Sequence, residues 1–134
     1  MKRIIIALLL FWSVPVLANP LLFGDWCETL DQGETCVSYE YFSADGRVSA
    51  KGVDPTNTDV GFEMRGTYII NQNIICIITE YERHFDINTG SDIEIDDPPE
   101  LCLKIKLLSE EQFIYTLPNG IVGTMRRLDS LAPN

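Results

Sequence analysis

Basic side chains are scarce in this sequence: Lys and Arg together number 10 against 20 Asp and Glu, for a formal net charge of −10. A surface of that sign repels phosphate backbones and anionic headgroups, which excludes nucleic acid and anionic membranes as partners. Histidine occurs once, as His84, and simple alternation puts it with Glu80 and Glu82 on a solvent-facing strand side. Without a second histidine or a Ser-His-Asp or Cys-His arrangement, no catalytic set, metal site or cofactor is expected, and the chain does not read as an enzyme. No C-x-x-C spacing occurs, which removes thioredoxin-type redox chemistry. Beyond the first eighteen residues no apolar run approaches the roughly 20 residues of a membrane-spanning helix, and no stretch keeps a helical apolar stripe for three turns.

What is present begins with a leader. Lys2 and Arg3 precede the apolar run Ile4 to Trp12, and the helix-breaking Pro15 leads into Val16-Leu17-Ala18. That pattern is a secretory signal peptide, too short for an anchor, with the cut expected after Ala18. Cleavage leaves 116 of the 134 residues and moves the charge from −10 to −12, because Lys2 and Arg3 leave with the leader. The mature part is therefore one domain, 19–134, expected to be secreted or periplasmic, monomeric and short of core for its size. All four cysteines, Cys27, Cys36, Cys76 and Cys102, lie in it, where an oxidising compartment lets disulfides persist.

Alternating apolar and polar residues, punctuated by turn residues, predict eight strands: 24–30, 35–42, 46–53, 60–70, 74–85, 92–107 with a break at Pro98-Pro99, 112–117 and 121–128. Between them stand turn compositions such as Asp45-Gly46, Asn71-Gln72-Asn73, Asn88-Thr89-Gly90 and Asn119-Gly120. Short connections of this kind imply an antiparallel meander. The cysteines suggest its register. The midpoint of Cys27 and Cys36 falls between Asp31 and Gln32, and that of Cys76 and Cys102 falls on Thr89, each inside a turn segment chosen on other grounds. Bridges Cys27–Cys36 and Cys76–Cys102 are expected, each between directly facing residues on the outer side.

These registers sort the faces. Trp26 then faces Val37, with Tyr39 and Tyr41 pointing inward beside it, while Ile75 faces Leu103 and Ile77 faces Leu101. Phe62, Met64, Tyr68 and Ile70 separate from Glu63, Arg65 and Thr67 on the fourth strand. The polar outer faces, with Lys104, Lys106, Glu63 and Arg65, argue against an outer-membrane barrel, whose lipid band must be apolar.

Eight such strands close into a barrel if the ends meet. Gly24-Asp25-Trp26 opens the first strand and Met125-Arg126-Arg127 lies on the last; the chain here resembles the lipocalin and calycin group, whose first strand bears G-x-W and whose last bears an arginine packed over that tryptophan. Phe42-Ser43-Ala44-Asp45-Gly46, a strand running into an aspartate-glycine turn, is similar to small exported bacterial members. The resemblance implies an all-β, eight-stranded up-and-down barrel. With a two-residue Asn119-Gly120 turn, Phe113 faces Arg126, so Arg126 rather than Arg127 is expected over Trp26 as the cap of one barrel end, on the inner face with Tyr115 and Val122.

The acidic segment Asp86 to Glu100 has calcium-loop composition, but counted from Asp86 the sixth position is Ser91 where an EF-hand needs glycine. Asp92, Glu94 and Asp96 alternating with Ile93 and Ile95 read instead as a half-exposed strand. The first function class is then a binding module whose interior, lined by Tyr39, Tyr41, Phe62, Met64, Tyr68, Ile77 and Tyr81, takes a small apolar or amphipathic ligand. The alternative is an exported inhibitor or interaction protein whose acidic loops meet a basic enzyme.

Overall fold

A computed structural model describes residues 22–29 and 35–128. The leader, its cut and the Asp31-Gln32 turn lie outside the described residues. Nine strands form within them: β1 (Gly24–Thr29), β2 (Cys36–Phe42), β3 (Arg47–Asp54), β4 (Asn57–Asn71), β5 (Ile74–Asp86), β6 (Asp92–Ile93), β7 (Glu100–Leu107), β8 (Gln112–Thr116) and β9 (Val122–Arg127). Every pairing is antiparallel, β1 meets β9, and β4 meets β5, so the sheet closes on itself as an eight-stranded meander barrel with β6 appended to β5. Closure leaves the main strands no free edge. The expected sixth strand is split and shorter than its alternation predicted: only Asp92 and Ile93 pair with β5, the exposed residues 94–99 lie outside the ladder, and Pro98 and Pro99 have no N–H to give it. Pro99 stays anchored through its carbonyl, which accepts from the Thr79 N–H at 2.8 Å.

Both expected bridges are present. Cys76 stands directly opposite Cys102, with Ile75 opposite Leu103 and Ile77 opposite Leu101, as the turn-centred reading requires. Cys27 is bridged to Cys36 across a Cα separation of 5.4 Å, yet the two are not opposite. Cys27 pairs with Tyr39 and Cys36 with Thr29, because a bulge leaves Val37 without a partner in the ladder. Replacing Cys76 and Cys102 with serine is expected to lower stability by roughly 3 kcal/mol in urea denaturation, and the Cys27/Cys36 pair, closing a shorter loop, by somewhat less. Equal midpoints before and after reduction would refute a structural role for the bridges.

Three local irregularities decide which side chains face inward. The bulge at Val37 puts Ser38, Glu40 and Phe42 on the Trp26 face and turns Tyr39 and Tyr41 outward. A second bulge lies between β4 and β5, where Gly66 pairs with Thr79 and Arg65 with Tyr81, so Glu80 has no partner. It depends on glycine: a Cβ at Gly66 would sit 2.1 Å from the Ile78 carbonyl oxygen. Beyond it the parity of β5 is reversed. The third is the β8–β9 loop, which holds Pro118, Asn119 and Gly120 between Leu117 and Ile121, whose backbones bond at 2.8 Å. Three loop residues rather than two shift the register by one, so Phe113 faces Met125.

The core fills one end of the barrel. Trp26 and Met125 are fully buried there with Leu22, against Phe42, Tyr68 and Phe113. The Tyr68 hydroxyl donates to the Ser43 carbonyl at 2.6 Å, which ties this packed end to the β2–β3 turn.

Candidate functional site

Above the packed end, the same alternation that buries Trp26 carries the interior toward the other end of the barrel, where the side chains no longer meet. The result is a cavity of about 310 Å³. Its walls come from β2 to β5 and from β7 and β8. Phe62, Met64, Ile75 and Ile77 form one side, and Leu101, Leu103 and Ile105 another. Phe42 and Phe113 floor it against the core, and Asp97 and Pro98 of the segment before β7 lie at its margin.

Of the residues expected to line this interior, Phe62, Met64 and Ile77 do so. Tyr68 is inside but below the cavity, packed edge-to-face on Phe42 with ring centroids 5.2 Å apart. Tyr39, Tyr41 and Tyr81 are exposed on the outer surface. The first two are turned out by the bulge at Val37, and Tyr81 by the bulge at Glu80. Arg65 lies over the Tyr81 ring there, 4.7 Å from its centroid.

The positions thus vacated hold acids. Glu40 lines the cavity, and among the described residues its carboxyl has no hydrogen-bond or ion-pair partner. Desolvation by the apolar walls, reinforced by the negative charge of Glu28, pushes its pKa up to about 8. Glu28, one strand away and buried, accepts hydrogen bonds from the Ser38 hydroxyl at 3.2 Å and from the Tyr115 hydroxyl. Burial, with Glu28 and its hydrogen bond next, raises the pKa of the Tyr115 phenol, which keeps it a donor. Glu82 lines the cavity as well, and its carboxylate meets His84 Nε2 at 2.8 Å. Alternation alone placed Glu82 and His84 outside; the reversed parity of β5 turns both inward, with side chains 23% and 14% exposed. The ligand atoms of Glu82, His84 and Asp97 come within 4.8 Å of one another, but the histidine and Glu82 already satisfy each other.

One signal for the inner acids was available in the sequence. Glu28 is two residues beyond Trp26, so an inward tryptophan on a regular strand carries Glu28 inward with it. Glu40 was hidden by its neighbours, since two flanking tyrosines make the better apolar face.

At the closed end, the arginine over Trp26 is Arg127, not Arg126. Its guanidinium carbon lies 4.3 Å from the ring centroid, and it donates to the carbonyls of Phe23 at 2.6 Å and Glu110 at 2.9 Å. The one-residue register shift of β9 is the cause: Trp26 pairs with Arg127 and Cys27 with Arg126. The same shift leaves Val122 exposed. Gly24, at φ +110°, adopts a backbone conformation that side-chain-bearing residues avoid, which accounts for the glycine two residues before the tryptophan.

In the acidic segment, Asp86 caps its own turn: its carboxylate accepts from the N–H groups of Asn88 at 2.8 Å and Thr89 at 3.0 Å. Asp92 pairs with Arg83 at 2.6 Å. These carboxylates serve the turn and the β5–β6 ladder.

No protein-family model matches the sequence, and no curated protein matches it. Among solved structures the chain is similar to a lipocalin-like protein from Bacteroides uniformis ATCC 8492, with a TM-score of 0.53 and 17% sequence identity over 81% of this chain and 99% of that one. The closed antiparallel meander, the G-x-W strand sealed by an arginine of the last strand, and this structural match together identify a lipocalin-like fold.

Proposed function

We propose that the barrel is a binding module for a small apolar or amphipathic molecule, held in the interior cavity. The observation that carries this reading is the cavity itself. Its volume of about 310 Å³ lies at the small end of ligand sites, and its walls are mostly aliphatic and aromatic. A filled barrel of this size would have placed further large side chains where Ala50 and Thr79 stand. The two disulfides suit export to an oxidising compartment, periplasmic or extracellular, which is where the leader would send the chain.

Octanol, a neutral compound that fits the volume, tests the reading by isothermal titration and by thermal shift. Saturable binding near one molecule per chain is expected, together with a raised melting temperature. Ala50→Leu projects extra methyl groups from β3 into the cavity and is expected to weaken octanol binding by tenfold or more, the bulk competing directly with the ligand. Binding that is absent in the wild type, or indifferent to Ala50→Leu, would remove the cavity from consideration as the site.

A further inference from the structure

The chemistry of the cavity wall narrows the ligand class, and the narrowing rests on the binding reading above. The charged side chains that line the cavity are Glu40, Glu82 and Asp97, all acids; no Lys or Arg lines it. Behind the wall stands another carboxylate, Glu28, satisfied by Ser38 and Tyr115. Glu40 is half-buried in the wall, and, unlike Glu82 and Glu28, its carboxyl has no hydrogen-bond or ion-pair partner among the described residues. On the ladder it lies between Trp26 and Ala50, and Ala50 in turn pairs with Met64 and Met64 with Glu82. An acid is thus set among the mostly apolar side chains of the wall, with none of its ladder neighbours Trp26, Ala50 and Met64 able to pair with a carboxyl.

We infer that the ligand is a small hydrophobic amine, its apolar body among Phe62, Ile77, Leu101 and Leu103 and its ammonium group on the Glu40 carboxyl. An unpaired carboxyl in an apolar enclosure is a costly feature in the empty barrel, and a cation supplies the partner that the fold withholds. The other wall acids act in the same direction: Glu82 and Asp97 near the cavity margin attract a cation during entry, and repel an anion. A fatty acid of equal length would bring its carboxylate against the acids Glu40, Glu82 and Asp97, with no Lys or Arg on the wall to receive it. The sign of the wall therefore separates this barrel from one built for anionic amphiphiles. At about 30 Å³ per heavy atom, the share of a water in the liquid, the volume of about 310 Å³ holds on the order of ten heavy atoms, an eight-carbon chain with its head group or a single substituted ring.

Three eight-carbon probes decide the matter: octylamine, octanol and octanoate, titrated calorimetrically at pH 7.5 into the disulfide-intact protein. Octylamine is expected to bind at least about tenfold more tightly than octanol, the scale of a hydrogen bond to a charged group, and octanoate more weakly than either. In Glu40→Gln the ratio of octylamine to octanol affinity should fall toward one. Octanol binding as tightly as octylamine in the wild type overturns the amine assignment while leaving the cavity reading intact. An octylamine preference that survives Glu40→Gln overturns the role of Glu40, and octanoate binding best overturns the charge argument. If none of the three binds, the binding module itself fails and the amine with it. The wild-type ranking needs no variant, so a Glu40→Gln protein that folds poorly does not shelter the inference.

Discussion

Trp26→Ala is expected to cost the protein about 4 kcal/mol of unfolding free energy, in the range for truncating a fully buried large aromatic. Four contacts are lost together. The ring packs edge-to-face on Phe113 with centroids 4.6 Å apart, and its Nε1 donates to the Leu22 carbonyl at 2.9 Å. Arg127 covers its other face, and Met125 and Leu22 share the same sealed volume. Marginal stabilities of about 5 to 15 kcal/mol make such a loss visible as a fall in melting temperature of roughly 15 °C. Arg127→Ala should cost less, about 1 to 2 kcal/mol, since it removes a cation over an aromatic face and donors to the Phe23 and Glu110 carbonyls while leaving the tryptophan packed. Arg126→Ala, whose residue pairs with Cys27 rather than Trp26, should not reproduce the Arg127 effect. Thermal and urea unfolding of the three variants give the order directly. Trp26→Ala melting with the wild type, or Arg126→Ala falling further than Arg127→Ala, would refute the cap as described.

That pairing of arginines shows where sequence reading stops. The strands were legible because alternation and turn residues act locally: seven of the nine observed strands match the expected ones to within a residue or two at most ends, save β4, which begins three residues earlier, whereas the expected sixth strand pairs only at 92–93 and 100–107, stopping well before its prolines. The Cys76–Cys102 register was legible because those residues do face each other. The Cys27–Cys36 bridge was legible as a pair, but not as a ruler. A disulfide accepts a range of Cα separations and does not require its cysteines to be opposite. Treating it as a register mark inverted β2, which put Tyr39 and Tyr41 inside and Glu40 outside. Likewise the β8–β9 turn contains Asn119-Gly120, a good two-residue hairpin, yet the loop takes Pro118 as well, with Gly120 at φ +89°. Choosing two residues or three is a small energetic decision with a complete geometric consequence, since the side-chain period is two. The bulge at Glu80 leaves no mark in composition apart from Gly66 on the facing strand. The irregularities set the face of Glu40 and Glu82 on the cavity wall, and of His84 beside them, the residues that sequence reading placed outside. Regular strands gave the barrel, and its departures from regularity gave the cavity its acids.

Glu40 also gives the fold a pH dependence opposite to that of a salt-bridged carboxylate. In the unfolded chain its carboxyl ionises near 4.5, and in the folded protein only at about 8. Between those values the folded state holds a proton that the unfolded chain has released, so raising the pH favours unfolding. The contribution is complete below pH 4.5, declines by about 1.4 kcal/mol per pH unit through the interval, and is exhausted above pH 8, for a total on the order of 5 kcal/mol. The other shifted groups titrate elsewhere. Asp45, lowered chiefly by its hydrogen bond with Ser43, acts at the acid end, and the raised phenols of Tyr68 and Tyr115 and the raised Arg83 act at the alkaline end. Glu28, with Ser38 and Tyr115 on it, and the Glu82–His84 pair are common to wild type and variant, so the difference between the two proteins isolates the Glu40 carboxyl. Glu40→Gln keeps the shape and a neutral polar head while removing the ionisation. Urea unfolding from pH 5 to pH 9 should show wild-type stability falling with pH and the variant nearly flat, the two converging at pH 5 and separating by several kcal/mol at pH 9 in favour of the variant. Parallel curves would mean that the Glu40 carboxyl meets solvent in the folded protein. A saturating amine should flatten the wild-type curve in the same way, because an ammonium group on Glu40 favours the ionised carboxyl that the empty barrel disfavours.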